Sequence, residues 1–296
     1  MRERIAIVGS GVSGLGCLRF LHAHHDVTVF DHDTRPGGHA HTIDVTEPGT
    51  GRALPMDTGF MVFNEVTYPH LCRLFKELGV QIKPTSMSFA VRHDPTGLEW
   101  CGSSLNHLFA QRRNLFSLRF WKLLLQINKF NKLAKTEWQS TEAETTSLRD
   151  WCARKGFGQD FLNLYLIPMS AAVWSTPADK MLGFPAAALM RFFHNHGFLG
   201  LDTQHQWLTL EGGSRTYVEA VLKAYPADFR FGQGVTAVRR DGDQVVVTTA
   251  KGEERFDRVI MASHADTTLK LLTDADTEER RLLGAFTYNQ NIAIVH

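Results

Sequence analysis

Residues 5–14 read IAIVGSGVSG, and this stretch decides how the first part of the chain folds. Its apolar start, Ile5–Val8, is typical of a buried strand, and it runs directly into the spacing G-x-G-x-x-G. Apolar residues then recur at every third position from Val12 to Leu21, which predicts a helix. A second strand is predicted over Val27–Phe30, and it ends at Asp31. The order strand, glycine loop, helix, strand and acid predicts the opening βαβ unit of a dinucleotide-binding fold.

Each glycine of the motif has a physical reason. Gly9 permits a tight turn out of the strand, Gly11 lets a pyrophosphate approach the backbone, and Gly14 lets helix and strand pack closely. The N–H groups at the start of the helix then face the phosphates. We therefore expect the whole loop to bind the cofactor, that is Gly9, Ser10, Gly11, Val12, Ser13 and Gly14.

The segment after the second strand indicates which cofactor this is. Asp31 is expected to accept hydrogen bonds from ribose hydroxyls, and an acid at this place disfavours the 2′-phosphate of NADP. Where a helix usually follows, Pro36, Gly37 and Gly38 prevent one. A Gly-Gly loop here suits a large cofactor whose phosphates and isoalloxazine run over bare backbone. Further on, residues 56–63 are predicted to form a polar turn that leads into an apolar strand.

Together these motifs carry a family resemblance. The G-x-G-x-x-G loop, Asp31, the R-x-G-G of residues 35–38 and the D-x-G of residues 57–59 resemble the flavin-containing amine oxidase superfamily, which also holds phytoene desaturases and protoporphyrinogen oxidases. The chain is most similar to a bacterial branch of flavin-containing amine oxidases or NAD/FAD-binding proteins, on residues 57–64, 207–213 and 257–266. The resemblance implies FAD as cofactor. It also implies an α/β fold, with a Rossmann-like FAD/NAD(P)-binding domain around a parallel central sheet and an interleaved α+β, largely helical substrate domain.

The resemblance also implies a division of the chain and further site residues. Residues 1–85 and 205–296 are expected to form the discontinuous FAD-binding domain, and residues 86–204 the substrate domain. A valine at the position of Val235 contacts the adenine through its backbone in similar flavoproteins. His39 stands at a position where many members of the superfamily carry Arg. The sequence identifies no catalytic residue. The loops implied on the flavin side contain Gly37, Gly38, His39, Thr58 and Gly59.

In the middle of the chain, two segments leave alternatives open. Residues 105–139 mix apolar and aromatic residues with Arg and Lys, which favours either a surface helix that rests on a membrane or a substrate-domain helix with its charges in water. Residues 157–201 are apolar and are expected to be short helices cut by Pro168, Pro177 and Pro185. They would line a hydrophobic pocket or form plain core. Residues 141–146 are predicted to be a polar linker.

Further elements are predicted on either side. A helix is expected over 67–79 and strands at 89–92 and 99–100. Residues 207–210 are expected to form a strand that ends in a glycine turn, and Thr216 with Glu219 a capping box. A hairpin is expected to turn at 241–243, and residues 256–262 to form a buried parallel strand. Residues 291–296 have the pattern of a strand, so we expect the chain to be a fragment of a longer protein.

Composition limits the functional classes. A net charge of +1 gives no electrostatic case for nucleic acid, and no apolar run is long enough for a membrane span. The four scattered cysteines are typical of reduced thiols in a cytoplasmic protein. His194 and His196 indicate a polar helix end rather than a metal site, and we expect no metal.

These observations predict an FAD-dependent oxidoreductase that transfers a hydride to flavin from an amine or from a hydrophobic, lipid-like substrate. The 20 phenylalanines favour the second class mildly. The alternatives are a non-catalytic or NAD(H)-binding Rossmann protein, and a fragment unable to hold flavin alone. The expected partners are a small molecule or a lipid, with peripheral membrane contact possible in either case.

Overall fold

The fold is taken from a computed structural model, which describes residues 2–200 and 203–290. Its strands are β1 Arg4–Val8, β2 Asp26–Phe30, β3 Thr42–Thr46, β4 Ala53–Asp57, β5 Ile82–Thr85, β6 Ala90–His93, β7 Leu98–Cys101, β8 Trp207–Leu210, β9 Asp228–Arg230, β10 Val235–Asp241, β11 Gln244–Thr249, β12 Gly252–Phe256 and β13 Arg258–Met261. Its α-helices are α1 Val12–Leu21, α2 Pro69–Glu77, α3 Leu105–Leu108, α4 Leu118–Glu137, α5 Thr141–Thr145, α6 Leu148–Arg154, α7 Gln159–Phe161, α8 Ile167–Trp174, α9 Ala178–Met181, α10 Ala186–Asn195, α11 Arg215–Ala224, α12 Ala265–Leu271 and α13 Thr277–Gly284. Single turns of 3₁₀-helix lie at Asp94–Thr96 and Arg112–Phe116, and a π-helical turn lies at Leu162–Leu166.

The chain divides into two compact units. The first contains the residues up to 63, residues 68–84 and the residues from 208 onward, and the second contains residues 64–67 and 85–207. The first is therefore assembled from three separate stretches of sequence. The cofactor and substrate roles that the sequence assigns to the two parts stay predictions.

A four-stranded parallel sheet is the centre of the first unit. Its strand order is β13-β1-β2-β9, so the first strand of the chain lies between the second and one that begins at Arg258. After the exposed Arg4, the side chains of β1 are almost completely buried, because the sheet has cover on both faces. The predicted βαβ unit and the α/β fold with a parallel central sheet are confirmed.

A second, antiparallel sheet belongs to the same unit. Strands β10, β11 and β12 form a meander in which the hairpin turns at residues 241–243, as predicted. The ring of Phe256 meets that of Phe30 edge to face, at 5.9 Å between centroids, and so packs the meander against the parallel sheet. The third strand of this meander, β12 at residues 252–256, was not predicted from the sequence. The parallel strand begins only at Arg258 and is half-buried rather than buried.

The second unit is built around aromatic side chains on short helices. The ring of Phe130, fully buried on α4, has five aromatic neighbours, namely Trp151, Phe157, Phe161, Tyr165 and Phe193. Burial raises the pKa of the Cys152 thiol in this core to about 12, so the thiol stays protonated. None of the four cysteines, all of which the structure describes, is in a disulfide. Among the described residues, no helix is long and apolar enough to cross a membrane.

Several local predictions are confirmed and others are wrong. Helix α2, strands β6, β7 and β8, and the polar end of α10 before Gly197 lie where they were expected. The strand expected at 60–63 is absent from this described stretch, where only Phe63 pairs, in an isolated bridge to Leu208. Residues 141–145 form a helix rather than a linker, since the Ser140 hydroxyl accepts the Ala143 amide and caps it. The strand expected at 291–296 lies outside the described residues.

Two further corrections concern helix ends. Pro168 does not interrupt its helix, because it lies in the first turn of α8, directly after a π-helical turn in which the Ile167 amide bonds to the Leu162 carbonyl. Thr216 forms no capping box. Its hydroxyl donates to the Gly213 carbonyl at 2.8 Å, and the helix begins one residue earlier.

Candidate cofactor-binding site

The glycine loop joins β1 to α1 at the carboxyl end of the parallel sheet. Gly9 has φ +111°, a conformation that favours glycine, and its amide donates to the Phe30 carbonyl at 2.8 Å. A Cβ on Gly14 would lie 2.0 Å from the Gly9 carbonyl oxygen, whereas a Cβ on Gly11 would meet no atom within 4 Å. Gly14 therefore serves the packing of helix on strand, and Gly11 borders open space.

Asp31 braces this loop from the end of β2. The amide and the hydroxyl of Ser10, a fully buried residue, both donate to Asp31 Oδ2, at 2.7 and 2.5 Å. Asp31 Oδ1 accepts the Asp33 amide at 3.0 Å and lies 3.2 Å from His32 Nδ1. The expected contact with ribose stays a prediction, and the carboxylate has a second role in shaping the loop. Sequence reasoning missed this role because Ser10 occupies a variable position of the motif.

The Gly37–Gly38 loop lies directly against the glycine loop. The Gly37 amide donates to the Ser10 carbonyl at 3.1 Å, and a Cβ on Gly38 would lie 3.1 Å from Gly11 Cα. Arg35 holds this second loop, since its guanidinium donates to the carbonyls of Pro36, Gly38 and Ala40 at 3.1, 2.8 and 2.8 Å. Arg35 was part of the quoted motif, but the sequence did not single it out as a site residue.

The turn at residues 57–59 joins the same group of loops. A Cβ on Gly59 would lie 2.1 Å from the His39 carbonyl oxygen, so the two backbones are in close contact. The Thr58 amide donates to the His41 carbonyl at 2.9 Å. His39 itself lies beside His264, which follows the carboxyl end of β13, with the two rings stacked at 5.8 Å between centroids.

Asp57 anchors this turn to a distant part of the sequence. Its carboxylate accepts the Ser214 amide at 2.9 Å, the Ser214 hydroxyl at 2.7 Å and the Thr42 hydroxyl at 2.6 Å. Ser214 is fully buried, so its hydroxyl serves packing and hydrogen bonding. No sequence pattern indicated this pairing across 157 residues.

Val235 is the predicted site residue that these contacts do not include. It begins β10, pairs with Thr249 and packs against the core between the two sheets. The chain just before it passes the end of β2, since the Gln233 amide donates to the Asp31 carbonyl at 2.9 Å. Val235 thus follows a segment attached to the site, and its contact with adenine stays a prediction.

One group of possible metal ligands occurs among the described residues. One ligand atom from each of Asp31, His32 and Asp33 lies within 4.8 Å of the other two. Because Asp31 already accepts two hydrogen bonds from Ser10, and exposed acidic groups are common without an ion, we assign no metal there.

These loops fit the diphosphate of a dinucleotide. Gly11 directly precedes α1 and has no side chain to cap its first amides, so the positive end of the helix dipole meets the open space beside this glycine. The stretches 9–14 and 37–39 meet at Gly11, and the stretch 58–59 packs against residues 39–41. Twelve of the thirteen predicted binding residues lie in these stretches or, like Asp31, brace them directly.

Comparison with known proteins agrees with this geometry. The family described as "Flavin containing amine oxidoreductase" matches residues 13–295. A comparison with curated protein sequences found no match. Three similar solved structures are a fatty acid isomerase from P. acnes (17% identity, TM-score 0.66), a putrescine oxidase (17%, 0.68) and a cyclohexylamine oxidase from Brevibacterium oxydans IH-35A (18%, 0.71).

The matches cover 95%, 96% and 96% of this chain, and the chain spans 63% of the length of each of the three proteins. At these identities the likeness shows a shared fold. The family match covers nearly the whole sequence, from the first turn of α1 through every loop after it. The chain therefore belongs to the family of flavin containing amine oxidoreductases, with FAD as its cofactor.

Proposed function

We propose that this protein is an FAD-dependent oxidoreductase that oxidises an amine or a hydrophobic, lipid-like substrate. The observation that carries the proposal is the open space beside Gly11, which is bordered by the uncapped start of α1 and by the Gly37–Gly38 loop. A loop built in this way takes the phosphates of a dinucleotide. When bound, FAD supplies the redox chemistry by accepting a hydride from the substrate.

The chain's own residues would position the cofactor. Amides of α1's first turn, at Val12 and Ser13, would face the diphosphate, and Asp31 would hold both the loop and the ribose. The bare backbone of Gly37, Gly38 and Gly59 would lie along the remainder of the cofactor. Arg35 would keep that backbone in place through its three carbonyl contacts.

The substrate class rests on weaker support than the cofactor. Two of the similar structures are oxidases of amines by name, and a third is an isomerase of fatty acids. The apolar, phenylalanine-rich middle of the sequence mildly favours a hydrophobic substrate. We therefore keep both classes, and an anaerobic assay separates them.

The first experiment compares cofactor content in three chains, namely the wild type, Gly11→Ala and Gly16→Ala. Neither added methyl group would meet an atom within 4 Å, and both glycines lie at or in α1. Only the Gly11 methyl would enter the space assigned to the phosphates. We expect wild type and Gly16→Ala to carry stoichiometric FAD, and the affinity of Gly11→Ala to fall about tenfold or more, about 1.4 kcal/mol.

The readouts are the visible spectrum and the nucleotide released on denaturation. Equal affinity for FAD, measured by titrating it into the three apo chains, would remove Gly11 from the binding site. Tight binding of NAD(H) without flavin would instead support the alternative of an NAD(H)-binding protein. With FAD bound, amines and unsaturated lipids are then offered without oxygen, and bleaching of the flavin by amines alone would exclude the lipid class.

A further inference from the structure

The first observation is an uneven distribution of charge along the second unit. From residue 100 to residue 136 the sequence contains seven Lys and Arg residues and no Asp or Glu, although the whole chain has a net charge of only +1. This stretch contains α3, the 3₁₀ turn at Arg112–Phe116 and most of α4. A surface of one sign attracts partners of the opposite sign.

The second observation is that the same stretch exposes large apolar side chains. Phe116 is 89% exposed, Leu118 87% and Leu125 67%, and Leu115 and Trp121 are exposed as well. The Trp121 indole donates to the Leu115 carbonyl at 2.9 Å, which joins the 3₁₀ turn to the first turns of α4. We refer to Leu115, Phe116, Leu118, Trp121 and Leu125, with the basic residues Arg112, Arg113 and Lys122, as the basic apolar surface.

Helix α4 is apolar on two faces. One face carries Phe120, Leu123 and Phe130, which are buried in the core of the second unit. Leu118, Trp121 and Leu125 follow each other at helical spacing on the other face. A helix at a protein–water boundary normally turns polar residues outward, and a continuous exposed apolar patch marks an interaction site.

Two of the charges beside this face, those of Arg112 and Arg113, form no ion pair with a described acid. Arg112 donates to the Phe109 carbonyl and to the Asn106 side-chain oxygen, and Arg113 to the Gly97 carbonyl, so both bind neutral groups through these contacts. Arg119 differs, because it forms a two-bond ion pair with Asp160 at 2.6 and 2.5 Å. That pair also holds the pKa of Asp160 below its ordinary value, mainly through the hydrogen bonds from Arg119.

We propose that the basic apolar surface docks this protein on a membrane that contains anionic phospholipid. Leu, Phe and Trp side chains beside Lys and Arg are typical of helices that lie at the boundary between headgroups and acyl chains. Each basic residue near such a surface adds attraction to anionic headgroups. We favour a membrane over a protein partner because charges of a single sign stand directly beside the exposed apolar side chains, as in helices that bind anionic lipid. The proposal does not depend on which substrate the enzyme oxidises.

The test measures binding of the full chain to sedimenting vesicles. Vesicles of phosphatidylcholine with about a third phosphatidylglycerol are compared with vesicles of phosphatidylcholine alone, at low and at high salt. Phe116→Ser with Leu118→Ser removes apolar area, and Arg112→Gln with Lys122→Gln removes charge. All four residues are exposed, so we expect these variants to fold. Phe20→Ser is the matched control, since Phe20 is 63% exposed and lies in the first unit.

We expect wild type and Phe20→Ser to bind the anionic vesicles, and salt to weaken that binding. Each double variant should bind about tenfold more weakly, and neutral vesicles should retain little protein. Three results would overturn the proposal. These are no binding to either vesicle, equal binding by the wild type and both double variants, and a wild type that self-associates through this surface without binding vesicles.

Discussion

The role of Asp31 as a brace can be separated from its expected role toward ribose by working on the protein without cofactor. Asp31→Ala removes the acceptor of two hydrogen bonds from the buried residue Ser10, at 2.7 and 2.5 Å. A buried amide left without a partner costs about 1–3 kcal/mol, and a bond to a charged acceptor is worth about 1.5–3 kcal/mol. We take about 3 kcal/mol as the total stabilisation that the loop loses, which raises the equilibrium constant for opening the loop about a hundredfold.

Hydrogen exchange read by mass spectrometry measures that opening directly. The amides of residues 8–14 in apo Asp31→Ala should exchange about a hundredfold faster than in the wild type, while those of β10–β12 keep their rates. Asp33→Ala is the matched control, because the neighbouring carboxylate is half-exposed and accepts no bond from Ser10. If loop exchange in apo Asp31→Ala equals that of the wild type while FAD affinity falls, the carboxylate acts on ribose alone and the brace is refuted.

Three further predictions follow from contacts in the two units. Gly14→Ala places a methyl group 2.0 Å from the Gly9 carbonyl oxygen and should destabilise the protein by about 3 kcal/mol, whereas Gly16→Ala should stabilise it by about 0.5–1 kcal/mol. Thermal unfolding compares the two variants, and equal melting temperatures would contradict the close packing at Gly14. Arg35→Lys removes the planar guanidinium that donates to three carbonyls, so the backbone amides of residues 37–40 should exchange hydrogen about tenfold faster. Unchanged exchange rates would contradict the role of Arg35 in holding this loop. Burial lowers the pKa of His196 below its ordinary value of 6.5, so the unfolded chain takes up a proton at a higher pH than the folded chain. The stability of the protein should therefore fall as the pH drops below about 6.5. The loss of melting temperature between pH 7.5 and pH 5.5 should be smaller in His196→Gln than in the wild type, and an equal loss in both would contradict this role of His196.

The sequence predicted the elements whose signals are local. The βαβ unit, the hairpin at residues 241–243 and α2 each depend on periodicity and turn residues within about twenty positions. The short helix α5 was missed because its polar composition was typical of a linker, and its cap at Ser140 was not weighed against that composition. Pro168 was misread because a π-helical turn precedes it, and no local rule predicts that turn.

In the candidate site, contacts between residues far apart in the sequence are the ones that could not be predicted. The sequence predicted that Gly37 and Gly38 offer bare backbone to a large cofactor, but it did not predict that their loop lies directly against the glycine loop. The partners of Asp57 lie 15 and 157 residues away and share no pattern with it, so only the folded structure reveals them. Which of these residues contact FAD stays a prediction until binding is measured.

The place of β1 in its sheet has a consequence for the order of events at the ribosome. β1 emerges well before its neighbour β13, which starts at Arg258, about 250 residues later. At a synthesis rate of about 5–20 residues per second, one edge of β1 waits about 10–50 s for its partner. During that time an apolar strand offers unpaired backbone groups to any other extended chain. We therefore expect the second unit, whose sequence is almost continuous, to complete its core first, and the nascent first unit to depend on chaperones at least until β13 arrives.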